Sequence, residues 1–267
     1  MRRASSLPIA PVLTVGDAAG IGAESSRASR RARRGARDPR DRAAARLRAG
    51  LVHDRAMNRI YFTARFVSSA SDPRQCPEAV AEVAFAGRSN AGKSSALNAL
   101  TRNAKLARTS RTPGRTQLIN HFAVGEEGHF LVDLPGYGYA KVSRERQRAW
   151  QRALLAYLGR REALRGLVLV MDIRHPLQPV DRELLELHAD TGLPLHCLLT
   201  KADKVSRGER ARTLSRVRRE LEEHGVEATL QDFSSTKGEG IDDAHAVLDH
   251  WLFGAPLDAG ELEDEAG

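Results

Sequence analysis

The sequence predicts an α/β fold, a mostly parallel sheet with one antiparallel edge strand and helices on both faces. Three observations carry that reading. From residue 80 onward, apolar runs of strand length alternate with amphipathic stretches of helical period, the pattern of strand-helix units wound on both sides of a sheet. One pair of apolar runs is separated by only the short turn "GEEG", which makes a hairpin and so one strand of opposite direction. A chain of 267 residues with 41% hydrophobic content has no apolar run of membrane-spanning length, so it can bury a substantial core.

Strands are expected at 80–86 (VAEVAFA), 117–124 (QLINHFAV), 129–134 (HFLVDL), 166–173 (GLVLVMDI), 195–200 (LHCLLT) and 228–234 (ATLQDFS). Helices are expected at 93–102, 143–158, 180–190, 206–223 and 240–252. The hairpin puts 117–124 at the edge of the sheet. Residues 57–79 read as a lead-in and 80–253 as the main domain. The tail 254–267 is acidic.

Charge is unevenly distributed. Residues 1–56 hold 13 Arg and no Lys against 5 Asp and Glu, whereas 57–267 hold 29 basic and 29 acidic side chains. The Arg-, Ala- and Ser-rich stretch around residues 25–50 lacks the apolar content to offset the entropy of ordering, so it reads as disordered. A basic arm, a targeting peptide and sequence upstream of a true start at Met57 remain the competing readings of it. The two cysteines, Cys76 and Cys197, have no histidine at metal-ligand spacing, so neither a disulfide framework nor a zinc site is indicated. A reducing cytoplasm fits them.

The chemistry is concentrated in "GRSNAGKSS", residues 87–95, which follows a strand and opens a helix. Glycines at both ends let the main chain curl so that successive amides point inward, and the helix adds the positive end of its dipole. The run Gly87, Arg88, Ser89, Asn90, Ala91, Gly92, Lys93, Ser94 and Ser95 therefore reads as a phosphate-binding P-loop. Lys93 reaches the outer phosphates, and the Ser94 hydroxyl ligates the bridging Mg2+.

Three further stretches complete the site. In "DLPG", Asp133 lies at a strand end where it can hold Mg2+ through water; Leu134 and Pro135 follow, and the Gly136 amide can sense a terminal phosphate. In "TKAD", Thr200, Lys201, Ala202 and Asp203 follow the fifth strand. The Asp203 carboxylate accepts from the ring imino and exocyclic amino groups of guanine, where adenine offers an acceptor, and this selects guanine. Lys201 lays its stem over the base. In "FSSTKG", Phe233 leads to Ser234 and Ser235, whose amides can meet the guanine carbonyl. The polar loop 109–117 holds Thr116, the candidate that closes over Mg2+, with Thr109 and Thr112 as weaker ones.

Together "GRSNAGKSS", "TPGRTQLINHF", "DLPGYGYAKVS", "DIRHPLQPVD", "TKADKVS" and "FSSTKGEGID" resemble the EngB family of bacterial GTPases, also called YihA or YsxC, of the TrmE-Era-EngA-EngB-Septin-like class. The resemblance runs from about residue 58 to 253. It implies GTP and GDP as ligands, magnesium, and a switch acting in large ribosomal subunit assembly, with a requirement in cell division and septation. By the same resemblance the switch segment is Gly114, Arg115, Thr116, Gln117 and Leu118. Lys93, Thr116 and Gly136 carry catalysis, while Ser94, Thr116 and Asp133 hold the metal. A monomer without membrane attachment is expected.

Hydrolysis is expected to be slow, because Tyr137 stands where a Ras-like enzyme has the glutamine that orients water. Asn90 resembles the asparagine that ligates potassium in cation-activated GTPases; it reads either as a K+ ligand, so that K+ or a ribosomal partner accelerates turnover, or simply as a tolerated loop residue. Arg144, Arg148 and Arg152 share one helix face and, with Tyr139 and Lys141, could dock RNA; a solvated basic face is the simpler reading. The alternative function is a P-loop phosphotransferase acting on a small metabolite. That would need a lid and acceptor pocket, which no inserted segment supplies. His121, His129, His175 and His196 read as packing or hydrogen-bonding residues.

Overall fold

A computed structural model describes residues 57–107, 118–125, 127–137 and 144–254. They fall in the second of two units, Ala43–Gly267; the first, Met1–Arg42, lies outside them, as do the rest of the basic segment to residue 56 and the acidic tail from 255.

Among the described residues seven strands form one sheet: β1 (Arg65–Ala70), β2 (Ala81–Gly87), β3 (Ile119–Ala123), β4 (His129–Asp133), β5 (Leu164–Asp172), β6 (Leu195–Thr200) and β7 (Thr229–Asp232). Their spatial order is β1-β3-β4-β2-β5-β6-β7. The five from β4 to β7 in that order are parallel to one another, and β3 runs against both its neighbours.

The expectation for β3 needs one correction. It is the antiparallel strand of the hairpin, but it is not at the edge, because Arg65–Ala70 pairs outside it from Arg65↔Ala123 to Ala70↔Ile119. The short, polar "RFVSSA" carries no strong strand pattern; with Phe66 and Val67 exposed, β1 is stabilised by pairing more than by burial.

Helices cover both faces: α1 (Lys93–Leu100), α2 (Arg144–Arg160), α3 (Pro179–Ala189), α4 (Arg207–Glu223) and α5 (Ile241–Phe253). The period-two alternation of the central strands separates two cores. Ala84 and Ala86 of β2, with Leu167, Leu169 and Met171 of β5, pack with Tyr157 of α2, Leu184 of α3 and Val217 of α4. Val83 and Phe85, with Val168 and Val170, pack with Leu97 of α1 and Leu248 of α5. The lead-in joins this second core: Tyr61, in the 3-10 helix Met57–Thr63, is fully buried, stacks on His245 and donates to Asp249 at 2.6 Å.

A buried carboxylate fixes the far end of α2. Glu82, inaccessible to solvent at the start of β2, accepts from the Tyr157 hydroxyl (2.7 Å) and from Arg161 Nε (2.9 Å) and Nη2 (2.6 Å). The charge is matched in place, as burial of an ion requires.

The carboxyl ends of the parallel strands lie on one side of the sheet. Phe85 is level with Asp133, Gly87 with Val170, Asp172 with Thr200, and Leu199 with Asp232. Since β2 is flanked by β4 on one side and β5 on the other, the chain winds in opposite directions from it. That reversal opens the crevice in which doubly wound folds bind ligands.

Candidate nucleotide site

The loop Arg88–Gly92 leaves the central strand at this crevice. Two glycines are required for different reasons. A Cβ on Gly87 would stand 2.7 Å from the Val170 carbonyl oxygen, so β5 can approach only bare backbone there. Gly92 adopts φ +101°, and its Cβ would also stand 3.0 Å from Thr200 Oγ1. Asn90 is left-handed as well, with φ 65°.

Alternation of left- and right-handed residues turns amides toward a common centre. Gly92 caps α1 without any side-chain hydrogen bond, so the first-turn amides of Lys93, Ser94 and Ser95 have no intrahelical acceptor. These donors and the helix dipole make an anion site.

Lys93 Nζ is ion-paired with Asp133 Oδ1, and both side chains are nearly buried. The pair brings together the loop lysine and the acidic residue at the end of β4. Beyond it, Leu134 N donates to Phe85 O (3.0 Å), which continues the sheet by one step, and Pro135 and Gly136 follow half-buried.

Tyr137 ends this segment in the core. Ser89 N donates to its carbonyl at 2.9 Å, and its hydroxyl donates to Asp181 Oδ1 on α3 at 2.9 Å. Burial pushes the Tyr137 hydroxyl well above its usual range and raises Asp181 as well. The ring therefore belongs to the packing between the loop and α3.

The base loop is tied to the phosphate loop. Thr200 Oγ1 lies against the carbonyls of Ala91 and Met171, the latter at 3.1 Å. Lys201, left-handed with φ 60°, donates from Nζ to Asn90 O at 2.7 Å and to Asp172 Oδ2 at 2.8 Å. Ala202 is buried and donates its amide to Phe233 O at 3.0 Å. Asp203 Oδ1 accepts from Ser234 Oγ at 2.8 Å, and Oδ2 faces Lys204 Nζ at 3.1 Å. The Ser234 hydrogen bond, followed by Lys204, holds the Asp203 carboxyl below the usual carboxylate range.

Ser234 acts differently from the sequence expectation. Its amide donates to Glu239 O at 3.0 Å and so is not directed at a ligand; its buried hydroxyl instead positions Asp203 and accepts from Lys237 N at 3.1 Å. Ser235 is half-buried at the same turn.

Two residues were missed as site residues in the sequence reading. Asp172, at the end of β5, is almost fully buried and receives Lys201; Arg174 holds the same carboxylate through Nε (2.9 Å) and Nη2 (2.7 Å). The signal was in "DIRHPLQPVD", an acid and an arginine two apart at a strand end.

Leu118 lies half-buried just before β3, whereas Gly114, Arg115, Thr116 and Gln117 lie outside the described residues, as do Thr109, Thr112, Tyr139 and Lys141. Of the basic face proposed for α2, Arg152 is exposed; the side chains of Arg144 and Arg148 lie outside the description. His121 and His196 are buried, with His196 Nδ1 2.7 Å from Thr229 Oγ1, while His129 packs on Phe253; none lies in the crevice.

Comparison with known proteins agrees with this geometry. A family model described as "50S ribosome-binding GTPase" matches residues 82–201. A probable GTP-binding protein EngB of Vibrio parahaemolyticus is 50% identical over 206 residues, which cover 77% of this chain and 93% of that one. Its counterpart in Stenotrophomonas maltophilia is 55% identical over 191 residues, 71% of this chain and 95% of the other. Among solved structures, a probable GTP-binding protein engB superposes with TM-score 0.51 at 22% identity, covering 64% of this chain and all of that one. A bacterial selenocysteine-specific elongation factor gives the same TM-score at 20% identity, over 67% of this chain and 29% of its own; these two likenesses concern the fold. Relatives matched at half identity over nine-tenths of their length, on a P-loop fold in which Lys93 meets Asp133 and Lys201 meets the phosphate loop, place the chain in the EngB family of GTPases.

Proposed function

We propose that the chain is a guanine-nucleotide switch with slow intrinsic GTP hydrolysis, acting in the cytoplasm as a monomer during large ribosomal subunit assembly and so needed for normal division and septation. The observation that carries the nucleotide reading is the pairing of two sites on one rim. The first-turn amides of α1 have no side-chain cap, and Asp203, held ionised by Ser234, stands two residues from Lys201, which is itself bonded to the phosphate loop. The ribosomal part is supported by the description of the matching family model.

Magnesium fits the residues present. Mg2+ takes oxygen ligands, and in nucleotide sites one or two side chains suffice because the phosphates supply the rest. Among the described residues no cluster of three His, Cys, Asp or Glu forms a protein-only cage. The Ser94 hydroxyl at the head of α1 would ligate the ion directly and Asp133, next to Lys93, through water, with Thr116 as the third ligand. The ion would neutralise charge on the transferring phosphoryl group.

Within the chain, Lys93 and the amides of Gly92 to Ser95 would hold and orient the outer phosphates, and the Gly136 amide would sense the terminal one. The Tyr137 hydroxyl, at the position where a Ras-like enzyme has a water-orienting glutamine, is engaged with Asp181. That supports slow turnover. Asn90, exposed in the phosphate loop, is the proposed K+ ligand.

The test is binding of labelled GTP against ATP by the full chain, followed by Asp203→Asn with xanthosine triphosphate. The substitution exchanges an acceptor for a donor, so preference should pass from guanine to xanthine. An unchanged preference would remove Asp203 from the base site.

A further inference from the structure

We infer that Asp172, clamped by Arg174, is a positioning residue for guanine nucleotide: it holds the Lys201 ammonium against the Asn90 carbonyl, so that the base loop and the phosphate loop retain a bound nucleotide as one unit. The inference rests on the proposed nucleotide site and adds to it a residue that touches neither phosphate nor base.

The geometry is that of a relay. Asp172 ends β5 level with Thr200, and the Ile173 amide donates to Thr200 O at 3.0 Å, so the ends of β5 and β6 are locked together. The chain then turns back on the carboxylate. Arg174 N donates to Asp172 Oδ1 at 3.1 Å, Arg174 Nε to the same oxygen at 2.9 Å and Arg174 Nη2 to Oδ2 at 2.7 Å. Oδ2 also accepts from Lys201 Nζ at 2.8 Å, and Lys201 Nζ reaches on to Asn90 O at 2.7 Å.

Arginine and lysine have distinct parts here. The planar fork of Arg174 fixes both carboxylate oxygens, while the compact ammonium of Lys201 can donate in two directions at once. Burial alone would raise the Asp172 carboxyl, but the donors from Arg174 and Lys201 outweigh it and hold the group well below the usual carboxylate range. The carboxylate is thus a permanent charge, 5% exposed, placed beside a lysine whose side chain is 30% exposed at the crevice.

The relay explains a strained backbone. Lys201 is a non-glycine residue in the left-handed region, and so is Asn90, whose carbonyl it meets. Such conformations persist where surrounding contacts over-determine them. Without Asp172, Lys201 keeps only the Asn90 carbonyl among these partners, and a flexible four-carbon stem is then free to leave the face of the base.

The experiment compares the full chain with Asp172→Asn, Arg174→Ala, Lys201→Ala and the double variant Asp172→Asn/Lys201→Ala. Release of fluorescent GDP is followed by stopped flow, and unfolding of each nucleotide-free variant is recorded alongside. Loss of a hydrogen bond to a charged group predicts release faster by about tenfold in Asp172→Asn, and by a smaller factor in Arg174→Ala, which keeps the Asp172 to Lys201 contact. Because Asp172 acts through Lys201, its effect should vanish in the Lys201→Ala background. Additive effects, or unchanged release in Asp172→Asn, overturn the inference. If Asp172→Asn does not fold, the exposed Arg174→Ala, made with and without Lys201→Ala, decides by the same criterion. Guanine-to-xanthine exchange by Asp203→Asn is measured in parallel: if it succeeds while the cycle is additive, only the relay fails; if the wild type binds no guanine nucleotide, the site itself fails.

Discussion

Removing one oxygen, in Tyr137→Phe, distinguishes a structural tyrosine from one that takes part in turnover. Tyr137 occupies the place from which some GTPases direct the attacking water, yet its hydroxyl is 2.9 Å from Asp181 Oδ1 and both residues are buried, at 5% and 2% exposure. The substitution leaves the ring packed against α3 and takes one donor from the carboxylate. Asp181 Oδ2 still accepts from Gln178 N at 3.0 Å, so the acid is not stripped of partners. A hydrogen bond to a buried carboxyl contributes about 2 kcal/mol. In a domain of this size each kcal/mol moves the melting temperature by roughly 2–4 °C, so a fall of about 4–8 °C is expected. Steady-state GTP hydrolysis, assayed well below the new melting temperature with saturating GTP, should stay within about twofold of wild type, since a hydroxyl engaged with α3 contributes nothing to orienting water. A drop in kcat of tenfold or more without loss of thermal stability would place the hydroxyl in the reaction and refute the argument.

Two other expectations follow from particular groups. If Asn90 ligates a monovalent cation, hydrolysis should be faster in KCl than in NaCl, and Asn90→Ala should abolish the difference; equal rates for the wild type would remove the ion. Burial pushes His121 and His196 down to about 4, from an ordinary value of 6.5. In that window the unfolded chain binds protons that the folded one does not, so stability is at its full value above pH 6.5, falls between 6.5 and 4, and is lower below that by about 3 kcal/mol for each histidine. Denaturant midpoints unchanged from pH 7 to 4.5 would contradict the burial of both rings as neutral imidazoles.

Much of the architecture was legible because its signals are local. Among the described residues, β2, β4, β5, β6 and α1 to α5 match the expected segments to within a few residues, since buried parallel strands read as apolar runs and the helices carry their own period, and the half-buried edge strand β7 falls within its expected segment as well. The ligand loops were legible for a related reason: glycine at 87 and 92 is demanded by contacts a Cβ would violate, and lysine is rare outside places that need a compact cation. What escaped was pairwise. Arg65–Ala70 is a strand because β3 offers it hydrogen bonds, which no property of "RFVSSA" announces. The amide of Ser234 was misassigned because its acceptor, Glu239 O, comes from the next turn; the Asp172 to Lys201 contact joins two strands 29 residues apart in sequence.

The same distinction bears on how a switch of this kind is built. Side chains that meet the ligand can be read one motif at a time, but the framework that holds them at a common rim is made of contacts between motifs. Thr200 and Lys201 bond to the carbonyls of Ala91 and Asn90, so the base loop cannot shift without moving the phosphate loop. On the opposite side, Ser89 N bonds to Tyr137 O, so the phosphate loop is also coupled to the segment after Asp133. The phosphate loop is therefore the middle member of three, fastened on one flank to the element that selects the base and on the other to the element that leads toward α2. Glu82, Tyr157 and Arg161 anchor the far end of α2 below the sheet, at the end of β2 away from the ligand. A shift of the 134–137 segment would thus meet, in α2, a helix already tied to β2 at its far end.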